Sequence, residues 1–142
     1  EQLKKFRDGQ RGKEPKNRGE HLMGTTMNVL RDEQDFQVVA DYIANLRPQP
    51  SLKTIKGDLV RGRELYASCA GCHGERGEGR PELKSPGLLI QEDWFLLDQL
   101  RKYKIGLRGQ HSGDTHGQVM SAAVRDWSDR DLKDVTAYLN EL

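Results

Sequence analysis

Apolar positions recur at helical spacing in four stretches of the chain, and nothing in it reads as a sheet. From about Glu33 to Leu46, the residues Phe36, Val39, Ala40, Ile43 and Leu46 fall on one stripe, with Asp32 placed to cap the helix. Asp58 is placed to cap a second helix that carries Leu59, Leu65 and Tyr66 up to a cysteine pair. Glu92 or Asp93 opens a third, with Trp94, Leu97, Leu100 and Tyr103 on or near one face. Ser128, followed by Asp131, starts a fourth in the manner of a capping box, with Asp where Glu or Gln is usual. Its stripe is Leu132, Val135, Thr136 and Leu139. Residues 71–87 hold five Gly and two Pro without a period and read as loop, and Gly106 to Gly117 reads as a second, polar loop. The pattern predicts an all-α fold.

The chain also repeats itself. Gln2-Leu3-Lys4-Lys5-Phe6, with Gly9 and Arg11-Gly12, returns 97 residues later as Gln99-Leu100-Arg101-Lys102-Tyr103, with Gly106 and Arg108-Gly109. Met23 and Met120 keep that offset. At an offset of 96, Asp35 matches Asp131, Val39 matches Val135, Tyr42 matches Tyr138 and Leu46 matches Leu142. Residues 1–46 therefore read as the C-terminal half of a repeat, without a counterpart to the cysteine segment. Residues 47–57, stiffened by Pro48 and Pro50, read as a linker, and residues 58–142 as a complete unit.

Composition narrows the field. The 142 residues are 35% hydrophobic, 32% charged and 6% aromatic, room for one ordinary domain or two small ones. Lys and Arg number 23 against 22 Asp and Glu, which disfavours a dedicated nucleic-acid binder, since that needs a cationic surplus. No apolar run approaches the ~20 residues that span a bilayer. No leader peptide is visible, so a targeting segment is expected to be removed or to lie outside this stretch.

The two cysteines stand in Cys69-Ala70-Gly71-Cys72-His73, a haem c attachment signature. Two thiols at this spacing reach the two vinyl groups on one porphyrin edge, and the adjoining imidazole turns back to give a nitrogen to the iron. A thioredoxin-like pair would follow a strand, and none is visible. A zinc site wants four ligands, and there is no third Cys. A structural disulfide is geometrically just attainable at this spacing but leaves His73 unexplained. Met120 is the one thioether downstream of Cys72, placed between the polar loop and the last helix and echoed by Met23, so it is the leading candidate for a sixth iron ligand. His111 and His116 on the same loop are the alternatives.

Taken together, Gly57-Asp58-Leu59-Val60-Arg61-Gly62, Leu65-Tyr66, Cys69 through Gly74, Gly77, Gly79, Pro81, Leu83, Pro86, Leu88, Gln91-Glu92-Asp93-Trp94, Gly117, Met120 and Tyr138 resemble a class I cytochrome c. Residues 57–142 are most similar to the second domain of tandem two-haem cytochromes c, periplasmic electron carriers of bacteria. Residues 1–46 resemble the back half of the first domain. The resemblance implies a fold of helices and loops wrapped around one covalent haem c. Cys69 and Cys72 would form the thioethers, His73 the proximal iron bond and Met120 the distal one. The carbonyl of Pro86 would accept the imidazole proton, and Tyr103 and Arg108 would approach the haem edge or propionates.

The implied function is that of a one-electron carrier rather than an enzyme, with redox-protein donors and acceptors and a membrane oxidase or dehydrogenase complex among its partners. Alternatives are a haem subunit of a larger oxidoreductase, or a haem enzyme with an open distal site. Two departures stand out. The first haem-attachment segment is lacking, which leaves Met23 without a haem of its own and allows exchange between copies as a route to a homodimer. Val119-Met120-Ser121-Ala122 also lacks the proline that often follows the distal Met in relatives.

Overall fold

The computed structural model describes residues 1–47 and 52–142 of the chain. The described residues are helical and loop-connected: α1 (Gln2–Arg7), α2 (Arg18–Thr26), α3 (Glu33–Ala44), α4 (Leu59–His73), α5 (Asp93–Lys104), α6 (Thr115–Val124) and α7 (Asp129–Leu139). Single 3-10 turns lie at Met27–Val29 and Pro81–Leu83. The four helices expected from periodicity are α3, α4, α5 and α7. Their starts follow from their caps. Asp32 accepts from the backbone of Gln34 and Asp35, and Asp58 from that of Val60 and Arg61. The Ser128–Asp131 box closes in both directions, so Asp serves where the longer Glu is usual. Three short helices, α1, α2 and α6, were not expected. Helix α6 begins inside the stretch that reads as loop.

The chain divides into two compact units. One comprises Gln49–Ile105 with Ala123–Leu142, the other Glu1–Pro48 with Gly106–Ala122. In the first, α4 crosses α7, and α5 also packs on α7. The core at the crossing is Tyr66, Val135 and Leu139, flanked by Leu65, Leu88, Leu96, Leu100, Trp127 and Tyr138. The rings of Tyr66 and Tyr138 are 5.7 Å apart and tilted by 49°. Close approach is possible because α4 carries Gly62 at the crossing: a methyl there would run into the carbonyl of Asp134 and the β-carbon of Tyr138.

Of the expected linker, residues 48–51 lie outside the described residues. Its described remainder runs without helix. The carboxylate of Asp93 holds it by accepting from the Thr54 hydroxyl at 2.8 Å and the Ile55 amide at 2.7 Å. Asp93, completely buried, therefore anchors the first turn of α5, while Trp94, expected on the packed face, stands 56% exposed.

The second unit has its own core of Phe6, Met27 and Phe36, with Leu3 and Leu30 against it. Arginine planes cover two of the rings, Arg11 over Phe6 at 4.5 Å and Arg7 over Phe36 at 4.8 Å. Within this unit the loop before α6 meets α1. The ammonium of Lys5 lies 2.7 Å from the carboxylate of Asp114, and Arg108 donates to Gln2 at 3.2 Å.

Local conformation echoes the sequence repeat. Helix α2 starts at Arg18 and α6 at Thr115, the same 97 positions apart. Gly9 and Gly12 have positive φ, as do Gly106 and Gly109. The matching stripes differ in burial. On α7, Leu132, Val135 and Leu139 are all buried, whereas on α3 only Phe36 is, and Ile43, with Leu46 just beyond the helix, is 53% exposed.

Candidate functional site

The cysteine segment forms the last turn of α4, so its geometry is helical rather than loop-like. Residues three and four apart share a helix face, which puts Cys69 beside both Cys72 and His73. Both cysteines stand as free thiols. Cys69 packs against the Tyr66–Val135–Leu139 core, and burial pushes its thiol pKa up. Cys72 is exposed.

His73 is 6% exposed. Its Nδ1 lies 2.9 Å from the carbonyl oxygen of Pro86. A carbonyl only accepts, so Nδ1 carries the proton and Nε2 keeps its lone pair for a metal.

Backbone contacts hold that carbonyl in place. Gly74 ends α4 with φ 85°. Its carbonyl accepts the buried hydroxyl of Tyr66 at 2.6 Å. Burial raises the Tyr66 pKa to about 12. The chain then returns along itself: the Gly79 amide donates to the His73 carbonyl at 2.7 Å, and Leu88 to Gly77 at 2.7 Å. Gly79, at φ 84°, lies flat against the backbone of Pro86 and Gly87, where a Cβ has no room.

A covalently attached haem c fits these residues. Two unbridged thiols share a face with a buried imidazole whose remote nitrogen is already committed, beside an apolar cluster. A family model for cytochrome c matches residues 59–142, more than half of the chain. The chain belongs to the cytochrome c family.

Two cytochromes c4 are similar to it in sequence. That of Azotobacter vinelandii is 26% identical over 118 residues, covering 78% of this chain and 55% of the relative. That of Pseudomonas aeruginosa is also 26% identical over 118 residues, covering 78% and 57%. The chain thus spans about half the length of the curated relatives it matches. A solved structure of Acidithiobacillus ferrooxidans cytochrome c4, described as supporting a complex-induced tuning of electron transfer, superposes with a TM-score of 0.75 at 22% identity. It covers 99% of this chain and 80% of that one. The chain has the all-α class I cytochrome c fold with one Cys-x-x-Cys-His motif, and this motif is that of one covalently bound haem c.

The other residues singled out from the sequence are distributed as follows. Pro86 is joined to His73 as described. Tyr103 is buried near the end of α5. Met120 and Arg108 belong to the other compact unit, Met120 half-buried on α6 and Arg108 in the loop before it. His111 and His116 are both exposed. Of the two other methionines, Met27 is a buried core residue, whereas Met23 is 38% exposed on α2.

Sequence reasoning missed three supporting groups: the Tyr66 hydroxyl on the motif's last turn, the Asp93 anchor, and the Lys5–Asp114 pair. An Asp one residue before Thr115 was a legible capping signal. The remote partners of Asp93 and Asp114 left no sign in the sequence.

Proposed function

We propose that this cytochrome c is a one-electron carrier of a bacterial periplasmic respiratory or related redox chain. The observation that carries the reading is the buried His73, its Nδ1 tied to Pro86, beside the free thiols of Cys69 and Cys72. The bound haem would supply an iron that cycles between ferric and ferrous states. The chain's own residues do the rest. Cys69 and Cys72 hold the porphyrin edge through thioethers, and His73 gives Nε2 to the metal. Pro86 fixes the imidazole plane and strengthens it as a donor. Met120 would give its thioether sulfur to the iron, and Tyr103 and Arg108 would approach the haem edge or propionates. No proton or substrate atom has to move. Donors and acceptors are redox proteins, among them a membrane oxidase or dehydrogenase complex. The near balance of charge gives weak long-range steering toward them.

We also propose that residues 1–46 are the C-terminal half of an adjoining cytochrome c repeat, 47–57 a linker and 58–142 the haem-bearing domain. The matched helix starts, the matched positive-φ glycines and the uncovered stripe of α3 support this. On α7 the equivalent stripe is covered by α4, so α3 presents the face that a helix of that kind would cover.

The test is the mass and spectrum of protein matured in a periplasm. The denatured chain is expected to be heavier by one haem, and Cys69→Ala with Cys72→Ala to abolish the increment. The oxidised protein should show the weak far-red sulfur-to-iron band of His/Met ligation, lost in Met120→Ala. A bare polypeptide mass overturns the carrier reading. A high-spin ferric spectrum overturns Met120 as ligand.

A further inference from the structure

We propose that Lys5 is a positioning residue for Met120, acting through Asp114 at the start of α6. The inference rests on the reading of Met120 as the distal ligand. Asp114 stands immediately before α6, and its Oδ1 accepts the Gly117 amide at 2.9 Å, the bond of a helix N-cap. Gly117 is packed so closely on this carboxylate that a Cβ has no space. The same oxygen receives the Lys5 ammonium at 2.7 Å, from a residue 109 positions away. Both side chains are nearly removed from solvent, 11% exposed for Lys5 and 3% for Asp114. Lys5 is itself steadied from Glu1, at 3.2 Å one helical turn back.

This arrangement fixes where α6 begins. Met120 follows three residues after Gly117, so the first turn sets its height and rotation. Burial alone would push the Asp114 carboxyl up, yet the bonds from Lys5 and Gly117 hold it below its ordinary range. It therefore caps as an anion, the form that suits a helix N-terminus. Deleting the ammonium would leave a buried carboxylate without its counter-charge, the costly way to break such a pair.

The repeat supplies an internal contrast. Asn17 occupies the place of Asp114 before α2 and makes no side-chain capping bond. Lys102, the counterpart of Lys5, forms an ion pair with Asp98 on its own helix at 2.6 Å.

The experiment titrates imidazole onto the ferric iron of the full-length matured protein and follows loss of the far-red band. Lys5→Met keeps the bulk of the side chain and removes its charge. Half-displacement is expected at about tenfold lower imidazole, the factor that ~1.4 kcal/mol of lost positioning corresponds to. Lys5→Arg should restore the wild-type titration to within about twofold, because it keeps the charge. Arg7→Met, on the same α1, removes the contacts of Arg7 with Glu33 and the Phe36 ring but leaves Asp114 alone, and should titrate as wild type. If Lys5→Met does not mature, Asp114→Asn decides on the same titration, since it keeps a capping oxygen and deletes the charge.

A wild-type titration in the deciding variant overturns the proposal, as does an equal shift in Arg7→Met. Met120→Ala separates the two readings. If it retains the far-red band, the distal-ligand assignment fails. If it loses the band while Lys5→Met behaves as wild type, the positioning role alone fails.

Discussion

Substituting Gly62 by Ala opposes two well-scaled effects. In an exposed helix the change is favourable by ~1 kcal/mol, because Gly has the larger conformational freedom to lose. At the α4–α7 crossing the new methyl would lie 2.8 Å from the carbonyl carbon of Asp134 and 2.8 Å from the Tyr138 Cβ, with the Asp134 oxygen nearer still. Carbon contacts want about 3.5 Å or more, so the helices must separate by at least roughly 0.7 Å, and by more to clear the Asp134 oxygen. The nearest obstacle is main chain and cannot rotate away. A gap of that size forfeits a quarter to a half of each dispersion contact along the seam, which includes Tyr66, Val135 and Leu139. Overpacking of this kind costs ~1–3 kcal/mol before that loss is counted. The net effect is a destabilisation of about 1–2 kcal/mol or more. Gly19 on α2 is exposed, and a Cβ added there would meet nothing within 4 Å, so Gly19→Ala should gain ~1 kcal/mol. Guanidinium unfolding of both matured variants, followed by far-ultraviolet circular dichroism, gives the comparison. A Gly62→Ala protein as stable as wild type, or more so, refutes the close crossing.

Three further outcomes are expected. Asp93→Ala removes the acceptor of two amides and a hydroxyl in part-buried bonds, costs about 1–3 kcal/mol, and should speed hydrogen exchange at Thr54 and Ile55 before that of α5. The Asp131 carboxyl is held at about 2, by Ser128 first and then Arg61, against an ordinary 3.8. Its stabilisation is therefore full above pH ~4 and lost as pH falls through ~2, and Asp131→Asn should flatten the acid limb of the stability profile. Tyr66, raised to about 12 by burial, is protonated in the folded state beyond the range where an exposed phenol ionises. Its contribution should be lost only as pH rises from about 10 toward 12, and Tyr66→Phe should cost ~1 kcal/mol at neutral pH by removing the shorter of the two bonds to the Gly74 carbonyl, which keeps the Gly77 amide at 3.3 Å. Unfolding measured across alkaline pH checks both.

Helices α3, α4, α5 and α7 were legible because cap and stripe lie within one short window. The cap of α6 was only half legible. Asp114 precedes Thr115 in sequence, but the ammonium that stabilises it comes from Lys5, and a Gly-rich segment reads as loop until that contact is known. Helices α1 and α2 are too short, and α2 too rich in Gly, for periodicity to reveal them. The stripe of α3 was readable but its burial was not, since the same spacing is covered on α7 and largely bare on α3. The site divides in the same way. Cys69, Cys72 and His73 are contiguous, so five residues carried the chemistry. Pro86 lies thirteen positions away and enters through a main-chain oxygen, so only the family resemblance suggested it.

That oxygen has an evolutionary consequence. Every residue type carries a carbonyl, so no replacement at position 86 deletes the acceptor for His73. Drift in side-chain identity leaves the imidazole's partner intact, and change must come by displacing the peptide itself. Gly79 is where displacement is available, because any side chain there pushes on residues 86 and 87. The donor strength of the proximal ligand is thus insulated from mutation at its own partner and adjustable from a neighbour that meets His73 only through the main chain.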